Sequence, residues 1–397
     1  MPKPKSFQSP WLSLIYAALM AYAVLQGLLA PYGNWDMLCY VASVTAWTTP
    51  DSQEIFSQTM TAAQAALPAW LFDQHSHNPL SLEGANFVQV LPMCQIKPLY
   101  NAMIWLAHQI IRLDLPTASW TVSAFSFAVM AVLLYRWRPR RFVHPLWLAL
   151  VLALSFLGEL PLASLARLST PDALCTALTV AAFSAALFAR NPWAFALSGW
   201  LATLARPDAA ILIGGLALYF FWFGQFGRQR SKALGFVLVG FLAASQILVG
   251  KLAGSYGWEK MFVYTFLNRV PNLAQDQTPL TWAGYLQVLS GGFVLFAGAG
   301  RTLGLLGLSA LACLARFLRP VPEDAIYLRL LALSWAGIGG RFLIWPAWGE
   351  DRFYYGYFLL ILYCAAELVG PYGQALWKIL EDHRRQIRQA ALNPPPE

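Results

Sequence analysis

Charge is scarce in this chain. Asp, Glu, Lys and Arg make up 12% of its 397 residues, against about 25% in a soluble globular domain. That excludes water as the main solvent. Cysteine and histidine are also scarce, five of each, with no CxxC pair and no Cys/His cluster. This argues against a zinc site; no cofactor is certain, and a divalent metal stays open although no ligand spacing supports it. The strict apolar/polar alternation of a membrane barrel is missing. No period of about 20 to 50 residues recurs, and the two halves do not resemble each other, which counts against a transporter built from internal repeats.

What fills the chain is hydrophobic sequence, 58% of residues. It is gathered in stretches of about 17 to 25 residues, each long enough to cross roughly 30 Å of hydrocarbon as a helix. A backbone in lipid must satisfy its own hydrogen bonds, so continuous apolar runs cross as helices. The expected fold is therefore all-α, a polytopic transmembrane helical bundle forming a single domain over residues 1–397, with about ten spans. The 17 Trp and 16 Tyr suit aromatic belts at the two interfaces.

The net charge of +8 is not distributed as a nucleic-acid groove requires. Arg136, Arg138, Arg140 and Arg141 form one cluster, Arg228, Arg230 and Lys232 a second, and His383, Arg384, Arg385 and Arg388 a third, each after an apolar run. This is the positive-inside pattern, so membrane lipids are the expected partners and nucleic acid is not. With those clusters in the cytoplasm, spans fall at 11–31, 116–136, 143–158, 172–189, 193–205, 208–225, 232–252, 299–317, 325–345 and 354–372. Both termini then lie inside, and residues 373–397 form a basic cytoplasmic tail. Residues 281–298 are apolar enough to cross, but counting them would put the last cluster outside, so an outer interfacial or re-entrant helix is expected. The stretch 99–112, with His108 and Arg112, is read as interfacial for the same reason. Leu at the minus-three position of a cleavage site after Ala30 makes the first span an uncleaved signal anchor.

The long outer segment, 32–115, holds Cys39 and Cys94, which either pair on an oxidising side or remain two buried thiols. An ionisable group at a helix centre costs roughly 2.5 to 3.5 kcal/mol. Here such groups gather instead at outer span ends: Asp36, Lys97, Arg167, Asp172, Arg206, Asp208, Arg269, Arg341, Glu350, Asp351 and Arg352. Carboxylates and guanidinium groups on one face suit a site that binds an anion and moves a proton. Asp36, between Trp35 and Tyr40, either takes a proton from a hydroxyl nucleophile or caps the helix that follows. Ser169-Thr170-Pro171-Asp172 and Arg206-Pro207-Asp208 each place Pro-Asp at a span end, where Asp suits the helix dipole. Arg206 either pairs with Asp208 or holds a phosphate. Glu350-Asp351-Arg352-Phe353-Tyr354-Tyr355 opens the last span as an interfacial belt or a headgroup clamp.

Asp36 soon after the first span, in a long loop ending in Ile96-Lys97-Pro98-Leu99-Tyr100, resembles the GT-C integral-membrane glycosyltransferases that use polyprenyl-phosphate sugars. The Arg206-Pro207-Asp208 turn and the Arg352-Phe353-Tyr354-Tyr355 entry are similar to elements of the protein mannosyltransferase and aminoarabinose transferase branches. The resemblance implies transfer from a polyprenyl-phosphate sugar to a hydroxyl of a glycan, lipid or protein acceptor, with inversion. It also implies a multi-pass protein of a bacterial inner membrane whose site faces the periplasm or exterior. Asp36 maps onto the family's base, and Lys97, Arg206 and Arg352 onto its phosphate-binding cations. Arg341, Asp172 and Asp351 complete the candidate substrate-binding set. One departure is plain: the family often has paired acidic residues in the first loop, and none adjoins Asp36. The competing reading, a lipid or glycan transporter or flippase, calls for ionisable groups near the midplane.

Overall fold

The computed structural model describes residues 10–372 except 79–82, 138, 140–141, 159–160, 224–225, 227–231, 320 and 348–349. The basic tail and much of the three basic clusters therefore lie outside the described residues. After α1 (Pro10–Leu29), the first long loop folds as α2 (Asp36–Thr45), α3 (Ser52–Ala66), α4 (Ala69–Ser76), α5 (Gly84–Phe87), α6 (Leu91–Gln95) and α7 (Pro98–Ile111). The bundle continues with α8 (Leu115–Arg136), α9 (His144–Phe156), α10 (Asp172–Ser184), α11 (Pro192–Ala205), α12 (Ala209–Trp222) and α13 (Lys232–Leu252). Then come α14 (Trp258–Phe266), α15 (Trp282–Gly298), α16 (Gly300–Leu318), α17 (Ala325–Ile344) and α18 (Tyr355–Tyr372). No strand occurs among the described residues.

Helix starts follow local chemistry. Asp51 caps α3 by accepting from Glu54 N at 2.8 Å, and Asp114 caps α8 by accepting from Thr117 N at 2.8 Å. Asn191 and Thr281 do the same for α11 and α15. Each side-chain oxygen meets an N–H that has no partner within its own helix.

Among the described residues, six helices are long and apolar enough to cross a membrane: Pro10–Leu29, Leu115–Arg136, Asp172–Ala189, Lys232–Leu252, Gly300–Leu318 and Tyr355–Tyr372. The other four expected spans are also helices, yet α9, α11 and α12 have only 13, 14 and 14 residues. At 1.5 Å per residue they reach about 20 Å, short of a hydrocarbon core of roughly 30 Å. Helix α18 forms the centre of the bundle, with 78% of its span buried, whereas α13 lies at the periphery with 11%.

Helix α15 stays at the end of the bundle that carries the polar residues. Near its start Tyr285 Oη donates to Leu343 O at 2.7 Å, and near its end Phe296 meets Phe342, so both ends touch the last turn of α17. Arg301, just beyond it, donates to Leu157 O at 3.4 Å.

Gly27 lets α1 approach the 162–166 turn, because a Cβ there would stand 2.3 Å from the Ala166 carbonyl oxygen. Backbone cannot yield as a side chain can. Gly27→Leu is expected to cost about 1–3 kcal/mol or more, read as a lowered Tm in detergent; an unchanged Tm would refute this packing.

The first loop packs its own core, including Met37, Tyr40, Phe87 and Tyr100, against Trp120 of α8. Cys39 and Cys94 are bonded, with Cα atoms 6.1 Å apart, which decides between the two readings of the pair. His108 donates through Nδ1 to Leu113 O at 2.6 Å across the left-handed Arg112 and so serves a chain turn.

Candidate functional site

Two charged layers meet at the polar end of the bundle, one largely buried at Asp172 and Arg341 and one opening to the outside at Asp36 and Glu350. The buried layer begins at the Arg206-Pro207-Asp208 turn, where α11 stops because Pro207 has no N–H and restricts the residue before it. Arg206 donates to both Asp208 oxygens, at 2.9 and 3.1 Å, and to Asp172 at the head of α10. Asp208 also accepts from Arg341 Nε at 2.8 Å, and Asp172 from Thr170 Oγ1 at 2.6 Å. Arg341 and Asp172 are each only 1% exposed. Arg206 has thus taken the pairing alternative, and neither Asp172 nor Asp208 makes a side-chain cap.

The open layer is centred on Arg352. Its Nη1 lies 3.2 Å from Asp36 Oδ2 and 3.8 Å from Asp172 Oδ2, and its Nε lies 2.7 Å from Glu350 Oε2. The Asp36 and Glu350 side chains are 41% and 47% exposed, so this is where a ligand can arrive. Capping is not the role of Asp36: Trp35 is the N-cap residue of α2, no side chain caps it, and the Asp36 carboxylate turns to Arg352. Phe353 ties the two layers together, with the guanidinium groups of Arg206, Arg341 and Arg352 at 4.2, 4.7 and 5.0 Å from its ring centroid. Such contacts hold planar cations in register. Lys97 completes the rim, donating to Tyr40 Oη at 2.8 Å. Burial pushes its ammonium down to about 8, Arg206 acts in the same sense, and Asp36, Asp172 and Asp208 resist.

Of the sequence candidates, Asp36, Lys97, Asp172, Arg206, Arg341 and Arg352 thus converge. Asp351 faces away, paired with Arg301, which also donates to Tyr355 Oη at 2.8 Å. Arg167 and Arg269 serve packing: Arg167 donates to Ala30 O at 2.8 Å and covers Tyr32, and Arg269 lies near the Tyr264 ring. Sequence reasoning missed Arg301, although an Arg in a first helical turn opposes the dipole and asks for a partner. It also missed Glu367, fully buried in α18, which accepts from Tyr363 Oη at 2.9 Å.

Beneath the buried layer lies a cavity of about 30 Å³ lined by Asp172, Thr176, Arg206, Arg352 and Tyr357 among others. It has room for one or two waters and not for a sugar ring. Comparison with protein-family models, curated proteins and solved structures finds no match. Among the described residues no three His, Cys, Asp or Glu side chains gather as a metal site.

Proposed function

We propose that this protein is an integral-membrane glycosyltransferase that moves a sugar from a polyprenyl-phosphate donor to an acceptor hydroxyl on the non-cytoplasmic face. The observation that carries the reading is the half-exposed Asp36 carboxylate paired with Arg352 on an open rim beside Lys97. In this mechanism the donor phosphate takes Arg352 and Lys97, leaving Asp36 free to accept the proton of the acceptor hydroxyl. The hydroxyl attacks the anomeric carbon as the phosphate departs from the opposite side, which inverts the centre. The leaving phosphate gains a negative charge, so fixed cations stabilise the transition state more than the bound donor. Asp172 and Arg341, each 1% exposed, are too enclosed to meet the sugar directly; with Arg206 they hold Arg352 and Phe353 in place.

Glu367 favours a second reading, a lipid or glycan transporter, because a buried carboxylate within a span is costly and often part of a transport path. One experiment separates the two. The protein in nanodiscs, incubated with a panel of polyprenyl-phosphate sugars and candidate acceptors, is expected to release free polyprenyl phosphate and glycosylated acceptor. Absence of release across the panel, with counterflow of labelled lipid in liposomes, would give the protein to the transporter class.

A further inference from the structure

We propose that the Cys39–Cys94 disulfide is a positioning device: it holds the Lys97 amine against Tyr40 at the partly buried inner edge of the rim, and opening the bond frees that amine into water. How Lys97 serves sugar transfer rests on the function proposed above; how it is held does not.

The argument is one of register. Asp36, Cys39 and Tyr40 fall within little more than one turn of α2, at the spacings that place helical residues on neighbouring faces. Cys94 sits in α6, and Lys97 follows three residues later as the N-cap residue of α7. The bond spans 55 positions of sequence and is buried, with Cys39 and Cys94 at 1% and 5% exposure. Helix α6 has only five residues, too few to be stable alone, and Lys97 N donates back to Cys94 O at 3.1 Å, so fixing Cys94 also fixes the residue that carries the amine. Tyr40 is itself enclosed: it is 2% exposed and packs edge-on against Tyr100, with ring centroids 4.9 Å apart. The Lys97 amine therefore meets a fixed hydroxyl at one point.

The groups facing it come from every neighbouring element: Asp36 and Tyr40 from α2, Asp172 from α10, and Arg206 and Asp208 from the α11–α12 turn. Enclosure and the Arg206 charge bring Lys97 down to about 8. Both influences fade if the arm carrying Lys97 swings outward. A disulfide persists on an oxidising face, in keeping with the side on which the positive-inside pattern places this loop.

The test reads Lys97 itself. Full-length protein in nanodiscs is pulse-labelled with an amine-acylating reagent from about pH 6 to about pH 11, a range covering buried and ordinary lysines. Mass spectrometry then quantifies Lys97, with Lys260 as internal reference. In the wild type the reactivity midpoint is expected near 8. In a folded Cys39→Ala/Cys94→Ala variant it should rise by about one unit or more, toward the ordinary lysine value of about 10.4. An unchanged midpoint in the folded variant would overturn the proposal. So would a double variant that does not fold, since the bond would then be scaffold for the whole loop. A shifted midpoint without sugar transfer in the wild type would leave this inference standing and remove the transferase reading.

Discussion

Asp36→Asn is expected to lower sugar transfer by about 10²-fold or more while donor binding is largely retained. The substitution keeps the shape of the side chain and removes its ability to take a proton at neutral pH. Since Asp36 does not cap α2, no cap is lost, and Arg352 keeps Glu350 and Asp172 as partners. An ion pair of this exposure contributes about 0–1 kcal/mol, so the fold should survive. Transfer by the purified variant in nanodiscs, measured beside its thermal unfolding, is the decisive comparison. Transfer close to wild type would move the base elsewhere, first to Glu350, the other exposed carboxylate on Arg352.

Arg206→Gln and Arg352→Gln should fail in different ways. Removing Arg206 leaves Asp172 and Asp208 facing each other with one guanidinium fewer in a buried layer, and breaking such a network costs about 3–5 kcal/mol. The expected result is a large drop in Tm, with activity falling because the protein unfolds. Arg352 lies between the layers, next to two exposed carboxylates, and its loss should spare most of the fold. A charged hydrogen bond contributes about 1.5–3 kcal/mol, so donor affinity should fall about 10- to 100-fold. Thermal unfolding and titration with a polyprenyl phosphate check both. A wild-type Tm for Arg206→Gln would refute the buried network; undiminished donor affinity for Arg352→Gln would refute the phosphate assignment. The same titration should weaken as pH rises through about 8, where Lys97 loses the proton that attracts phosphate.

Much of the helical framework was legible because its signal is local. Leu115–Arg136 and Lys232–Leu252 carry their own hydrophobicity, and the expected ends fall within a residue or two of the helices observed. The polar residues were legible as a set for a similar reason, since charge at the ends of apolar runs is visible without any knowledge of neighbours. What misled was number: Arg167 and Arg269 looked like surplus cations, and only the fold spends them on Ala30, Tyr32 and Tyr264. The stop before Pro207 was legible too: α11, expected over 193–205, is found over Pro192–Ala205, whereas α12, expected over 208–225, is found over Ala209–Trp222.

The sequence by itself determined that the chain is helical and apolar enough to cross a membrane, with most of its candidate site residues at the ends of apolar runs, because transfer into hydrocarbon adds up residue by residue along a segment. Tertiary structure alone decided which charge meets which. Arg352 and Asp36 are 316 positions apart, Arg341 and Asp208 133, and Arg206 and Asp172 34. Neighbouring residues even part company: Asp351 turns to Arg301 while Arg352 turns to Asp36. Successive helical residues point about 100° apart, so the partner of each side chain depends on how whole helices rotate and pack, and nothing in a linear pattern records that rotation.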